Sequence, residues 1–61
     1  MVWAVDYDSK TRVLEVAFKR GGVFCYEGVP ASVYREMMRS DSIGSYLSSC
    51  IIGMYPDRRM D

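Results

Sequence analysis

The stretch LEVAFKRGGVFCY, residues 14–26, decides the fold that this sequence predicts. Apolar side chains alternate with polar or small ones over residues 14–19, and this two-residue period is typical of a strand whose two faces differ. Gly21 and Gly22 then supply a tight turn, because glycine adopts positive φ without steric penalty. Residues 23–26 form a second short apolar run, so the stretch predicts a β-hairpin.

Towards the N-terminus the same period continues. Trp3, Val5 and Tyr7 alternate with smaller or acidic residues, and residues 8–10 (DSK) separate them from the hairpin with typical turn chemistry. The first half of the chain therefore predicts a three-stranded antiparallel meander.

Towards the C-terminus the period becomes helical after Gly28. Pro30 suits a first helical position, where its missing N–H is not needed. Apolar residues then recur at helical spacing and predict an amphipathic helix that ends near Ser40: Val33, Tyr34, Met37 and Met38.

A second helix is predicted to begin with Asp41 or Ser42 as its cap and to end at Gly53. Its apolar stripe consists of Ile43, Leu47, Cys50 and Ile51. Residues 54–61 are predicted to be a short polar tail, with Tyr55 and Pro56 packing back. The predicted fold class is thus α+β, one domain over residues 1–61, with a three-stranded antiparallel meander followed by two short helices packed on one face.

Size and composition limit the chemistry. A 61-residue chain makes a thin core and usually needs additional support, for which a homo-oligomer is the favoured source. Cys25 and Cys50 are predicted to be buried free thiols in a reducing cytoplasm, because neither a signal peptide nor a transmembrane run is recognisable. The sequence has no histidine and no CxxC, so no metal or other cofactor is predicted.

Charge and carboxylate spacing favour a binder over an enzyme. Eight basic and eight acidic residues give zero net charge, which argues against a broad duplex-DNA surface, but the doublets Lys19–Arg20 and Arg58–Arg59 leave a local anion site open. Asp6 and Asp8 form the one close carboxylate pair, and a turn role for Asp8 is favoured over acid–base catalysis. The hairpin glycines are likewise interpreted as a turn, since no helix begins there to hold a phosphate.

Candidate ligand residues lie mainly in the second half of the chain. Gly44 inside a helix indicates that something approaches closely, since glycine there costs about 1 kcal/mol relative to alanine. The neighbouring serines suit either a close helix contact, such as an oligomer seam, or a polar binding site, and the terminal arginines suit either phosphate binding or a solvated tail. The predicted ligand-binding residues are Tyr26, Ser45, Tyr46, Ser49, Tyr55, Arg58 and Arg59.

Taken in order, several short motifs resemble the KTSC domain family over almost the whole chain. They are YD at 7–8, LxVxF at 14–18, Gly22, FxYxxVP at 24–30, Tyr34, SxGxY at 42–46 and IxxxYP at 51–56. The resemblance implies a small α+β binding module, found alone in bacterial and phage proteins or attached to a lysyl-tRNA synthetase, with nucleic acid as the usual expected ligand. Two positions depart from the family pattern: Ser48 stands where asparagine is common, and Ile52 where a basic residue is common.

Two functions are therefore expected to compete. The first is non-enzymatic binding of a nucleotide or single-stranded nucleic acid, in the manner of a phage-type protein that sequesters a signalling nucleotide. The second is a protein-interaction or inhibitor module that presents Ile52 and Met54 to a host protein. No membrane partner is expected.

Overall fold

The computed structural model describes residues 2–60. Its strands are Val2–Asp8 (β1), Val13–Phe18 (β2), Gly22–Tyr26 (β3) and Asp57–Arg59 (β4). Its helices are Ala31–Arg39 (α1) and Ile43–Tyr46 (α2), and α2 continues as a π-helical segment over Leu47–Ile51. Within the described residues, no helix is both long and apolar enough to cross a membrane.

The strands form one antiparallel sheet in the order β1-β2-β3-β4. The predicted meander and the α+β class are confirmed, but the prediction of three strands was wrong by one, because the tail returns as β4. Asp57–Arg59 is polar and exposed throughout, so it lacks the alternation that reveals a strand. Its pairing with β3 is completed by the Met60 N–H, which donates to the Val23 carbonyl at 2.7 Å.

The core lies on one face of the sheet, where both helices pack as predicted. It combines side chains of the sheet, of the helices and of the β3–α1 connection that are at most 2% exposed: Leu14, Val16, Tyr26, Val29, Met37, Leu47 and Ile51. The partly buried side chains around it include Val5 and Tyr7 of β1 and Tyr55 of the tail. Tyr55 therefore packs back onto the domain as expected.

Two predicted core residues lie on the surface instead. Met38 is 47% exposed, because adjacent helical residues differ by about 100° and α1 buries the neighbouring Met37 completely. Cys50 is exposed because the helix widens after α2: the Ile52 N–H donates to Leu47 O, five residues back, at 2.8 Å. The wider turn keeps Leu47 and Ile51 in the core and rotates Cys50 outward. Cys25 is a buried free thiol, as predicted.

The predicted helix cap at Ser42, the helix end at Gly53 and the two hairpin turns are confirmed. The Ser42 hydroxyl caps α2 by accepting the Ser45 N–H at 3.2 Å, and Gly53 adopts φ +85° after the last helical turn. Asp8 organises the first hairpin turn, because its Oδ1 accepts the Lys10 N–H at 2.9 Å. Gly22 has φ +83° at the second hairpin turn.

The connection between β3 and α1 is held against the first hairpin. The Val29 N–H donates to Arg12 O at 2.9 Å, and the Val29 carbonyl accepts the Tyr7 hydroxyl at 2.6 Å. The Tyr7 ring also stacks on Tyr34 of α1, with centroids 4.6 Å apart and planes 11° from parallel. These contacts fix where α1 begins on the sheet.

Candidate functional site

An open cleft of about 640 Å³ is the candidate site. It lies between the turn that joins β2 to β3 and the outer side of the second helix. Its lining residues come from both halves of the chain: Val2, Phe18, Lys19, Arg20, Gly21, Gly44, Ser48 and Ile52. The volume falls within the range of about 300–1,000 Å³ that is usual for small-molecule sites.

The cleft combines an apolar wall with a cationic rim. Phe18 and Ile52 supply apolar surface, while Lys19 and Arg20 are exposed on the turn beside it. Lys19 Nζ also lies 5.9 Å from the ring centroid of Trp3, within cation–π range. An apolar wall with positive charge at one end suits a ligand that has a flat or apolar body and an anionic group.

The second helix leaves room for the cleft through Gly44. Gly44 and Ser48 are four residues apart, so they share the helix side that lines the cleft. Ser48 belongs to the π-helical segment, and such segments often occur at functional sites. The missing side chain at position 44 and the hydroxyl at position 48 give this wall both space and a hydrogen-bonding group.

The predicted ligand-binding residues do not line this cleft. The sequence leaves the Lys19–Arg20 doublet open as a local anion site, but it predicts only a hairpin turn for Gly21 and only a strand position for Phe18. The turn is confirmed, but it also faces the second helix, a tertiary contact that no local pattern reports. Two signals were present in the sequence: the basic doublet, and Gly44 inside a helix.

Two predicted ligand residues, Tyr46 and Tyr55, lie on a different part of the surface. The Tyr46 hydroxyl donates to Glu36 Oε1 of α1 at 2.6 Å. This hydrogen bond is the main reason that the pKa of Tyr46 is raised to about 12, with desolvation and the nearby Glu36, Cys50 and Tyr55 adding to it. Tyr46 thus links the two helices, and Tyr55 lies within electrostatic reach of it.

The two terminal arginines, Arg58 and Arg59, belong to β4. They are successive strand residues, so their side chains leave the sheet on opposite faces. Arg58 pairs across the sheet with Cys25 and forms an ion pair with Glu27, Nε to Oε2 at 3.1 Å. Arg59 pairs across from Phe24, and its guanidinium lies 5.8 Å from the centroid of that ring.

The remaining predicted residues divide between core and surface. Tyr26 is 2% exposed, which leaves its ring no free face for a ligand, and burial followed by the nearby Asp57 raises its pKa. Ser45 and Ser49 are exposed on the second helix, but neither lines the cleft. Among the residues of the serine face, Ser45, Ser48 and Ser49, only Ser48 lines the cleft.

Comparison with known proteins settles the family. The model of the KTSC domain matches residues 1–55. This chain belongs to the KTSC domain family. The KTSC match ends before β4, so the strand that completes the sheet lies beyond the matched residues.

Two relatives support the assignment. The crystal structure of a KTSC domain protein from Yersinia pestis superposes with a TM-score of 0.96 at 28% identity, covering 98% of this chain and 84% of that one. An uncharacterized protein of Stutzerimonas stutzeri (strain A1501) is 33% identical over 45 residues, which are 74% of this KTSC chain. The matched part spans 63% of that relative's length.

The link between Tyr46 and Glu36 predicts a specific titration. In Glu36→Gln the hydroxyl loses its anionic acceptor, so the pKa of Tyr46 should fall from about 12 towards the ordinary 10. Because the folded-state pKa is raised, the pair stabilises the fold below pH 10 and loses this effect as the pH rises through about 12. Tyrosinate ultraviolet absorbance measures the change, and Tyr46→Phe identifies the curve that belongs to this residue. Identical curves for wild type and Glu36→Gln would contradict the assignment.

Proposed function

We propose that this KTSC domain is a non-enzymatic binding module for a nucleotide-like ligand, held in the cleft between the β2–β3 turn and the second helix. The observation that supports it is the pairing of an apolar wall, Phe18 and Ile52, with two cations at one rim, Lys19 and Arg20. A base stacks or packs on the wall while its phosphate meets the guanidinium of Arg20, which can bind phosphate in a bidentate manner. Ser48 supplies a hydroxyl for the sugar or base.

The non-enzymatic part of the proposal is supported by how the carboxylates are used. Asp6 Oδ1 accepts the Tyr7 N–H at 3.0 Å, and Asp8 Oδ1 accepts the Lys10 N–H at 2.9 Å. Both groups are thus engaged with their own backbone, and the sequence has no histidine to act as a base. Among the described residues, no group of three or more acidic, cysteine or histidine side chains is arranged to hold a metal ion.

The biological setting that we propose is a reducing cytoplasm, where the exposed free thiol of Cys50 stays reduced. A free-standing domain that holds one nucleotide can sequester a signalling nucleotide, as a phage-type protein would. Single-stranded nucleic acid presents the same base and phosphate chemistry, so the test below includes both forms.

The test compares ATP with a short oligouridylate by calorimetry and by amide NMR titration. Arg20→Ala should weaken binding of the preferred form about tenfold or more, because a hydrogen bond to a charged group contributes about 1.5–3 kcal/mol. Arg35→Ala removes a matched exposed arginine from α1 and should leave binding unchanged. Amide shifts should concentrate at residues 18–22, 44 and 48.

A different pattern of results would contradict the cleft. If Arg58→Ala with Arg59→Ala abolishes binding and Arg20→Ala does not, the ligand lies at the tail. If neither ATP nor oligouridylate binds, the nucleotide proposal fails.

A second function is favoured by the apolar exposure at the end of the second helix. Ile52 is 44% exposed and Met54 is 70% exposed, which suits a contact with a host protein. Ile52 also lines the cleft, so Met54→Asp is the cleaner discriminator. This substitution should abolish binding to a protein partner and leave nucleotide binding unchanged.

A further inference from the structure

The sheet carries helices on one face only, and its other face is open. The side chains that point away from the core come from alternate positions of all four strands. They include Ala4, Asp6, Glu15, Ala17, Val23 and Arg58. Cys25 also belongs to this face: it is 3% exposed, yet it lies outside the core cluster, and it pairs with Glu15 and Arg58 on the neighbouring strands.

A shallow depression and a projecting indole lie side by side on this open face. The depression has a volume of about 210 Å³ and exists because small side chains, Ala4 and Ala17, meet Val23 there. Next to it the register of β1 shifts between Val2 and Ala4, which leaves Trp3 as an extra residue. Trp3 is 73% exposed and is held at the surface by Lys19.

Opposite charges flank Ala17 of the open face. Glu15 lies two residues before Ala17 on β2, and Lys19, in the turn that begins where β2 ends, lies two residues after it and carries the opposite charge. A two-fold axis that runs across the strands over Ala17 stacks β2 antiparallel on its copy. Lys19 of each copy then faces Glu15 of the other, and Trp3 of each copy meets the depression of the other.

We propose that the open face is the interface of a homodimer in which two sheets stack face to face. Sheets that pack in this way lie about 10 Å apart and about 30° from aligned, a spacing that side chains of this size fill. A standard interface buries about 800 Å² a side, which is roughly a fifth of this chain's 4268 Å² surface. A buried tryptophan at the centre is the usual kind of anchor.

A homodimer also compensates for the small hydrophobic core of the domain. A chain of 61 residues has little core, and association is one of the few ways to add buried apolar surface without disulfides or metals. The described cysteines are free, so no disulfide supplies that support.

Trp3 makes the dimer directly measurable, because it is the one tryptophan of the chain. Sedimentation and light scattering should show the mass doubling with concentration, and the emission of Trp3 should shift to the blue over the same range. Ala17→Glu, which puts a charge into the depression, should give a monomer with unshifted emission. Circular dichroism checks that each variant is folded.

A charge exchange tests the orientation. Lys19→Glu and Glu15→Lys should each weaken the dimer about tenfold, since each brings like charges together twice in the symmetric pair. The double variant exchanges the charges and should restore the dimer. A monomer at every concentration overturns the proposal, including the case in which the face binds only a different protein. A dimer whose Trp3 emission does not change, or which tolerates Ala17→Glu, also overturns it.

Discussion

Replacing Met37 with alanine is expected to remove most of the stability of this domain. The Met37 side chain is fully buried between α1 and the sheet, and truncating a buried methionine to alanine costs about 2–5 kcal/mol. A 61-residue domain has a total free energy of unfolding of only about 3–9 kcal/mol. Urea denaturation followed by far-ultraviolet circular dichroism should therefore show a large fall in the midpoint, or a chain that is already largely unfolded without urea.

The adjacent residue gives a matched control. Met38 lies in the same helix and is 47% exposed, so Met38→Ala should change the free energy of unfolding by no more than about 0.5 kcal/mol. Both changes are methionine to alanine, which makes their effects on helix propensity the same. Equal losses from the two variants would show that α1 does not pack as described.

This contrast also shows where sequence reasoning succeeded and where it stopped. Alternation over residues 14–19 and the glycines after it were sufficient to predict the β2–β3 hairpin, because strand faces and turn conformations are local properties. The helical stripe was predicted too wide, since Met37 and Met38 are equally apolar. Which of the two is buried depends on which side of α1 faces the sheet, and this is a tertiary property.

The second helix illustrates a limit of periodicity. A regular α-helix places Cys50 beside Leu47 and Ile51, and the prediction followed that geometry. The helical turn over Leu47–Ile51 contains an extra residue, and no local pattern in the sequence SSCII predicts a π-helical hydrogen bond. For a related reason, the sequence does not predict β4. Its three residues are polar and exposed, so the strand is defined by its pairing with β3 and not by a local pattern.

The candidate site was predictable in its parts but not as a whole. The basic doublet Lys19–Arg20 suggests an anion site, and the helical Gly44 indicates a close approach, but no local pattern connects the two. Their meeting across the cleft depends on how the second helix crosses the end of the sheet. The side chains of Arg58 and Arg59 leave the sheet on opposite faces, a separation that follows from β4 and that the polar sequence of the tail does not indicate.

Gly44→Leu is expected to abolish nucleotide binding in the proposed cleft. Gly44 and Ser48 form the helix wall, and a leucine side chain at position 44 occupies space that the ligand would need. The loss should exceed about a hundredfold, corresponding to about 2.8 kcal/mol of ligand contacts. Calorimetry with ATP measures it, and urea denaturation shows separately whether the variant is folded.

The control introduces the same leucine side chain one residue further along the helix. Ser45 is exposed and does not line the cleft, so Ser45→Leu adds an identical side chain outside the site and should leave ATP binding unchanged. If Ser45→Leu abolishes binding and Gly44→Leu does not, the ligand lies on the exposed serine face. Loss in the Gly44 variant alone, with the fold retained, assigns the ligand to the cleft. It would also explain why a helix contains glycine at a position where alanine is normally preferred by about 1 kcal/mol.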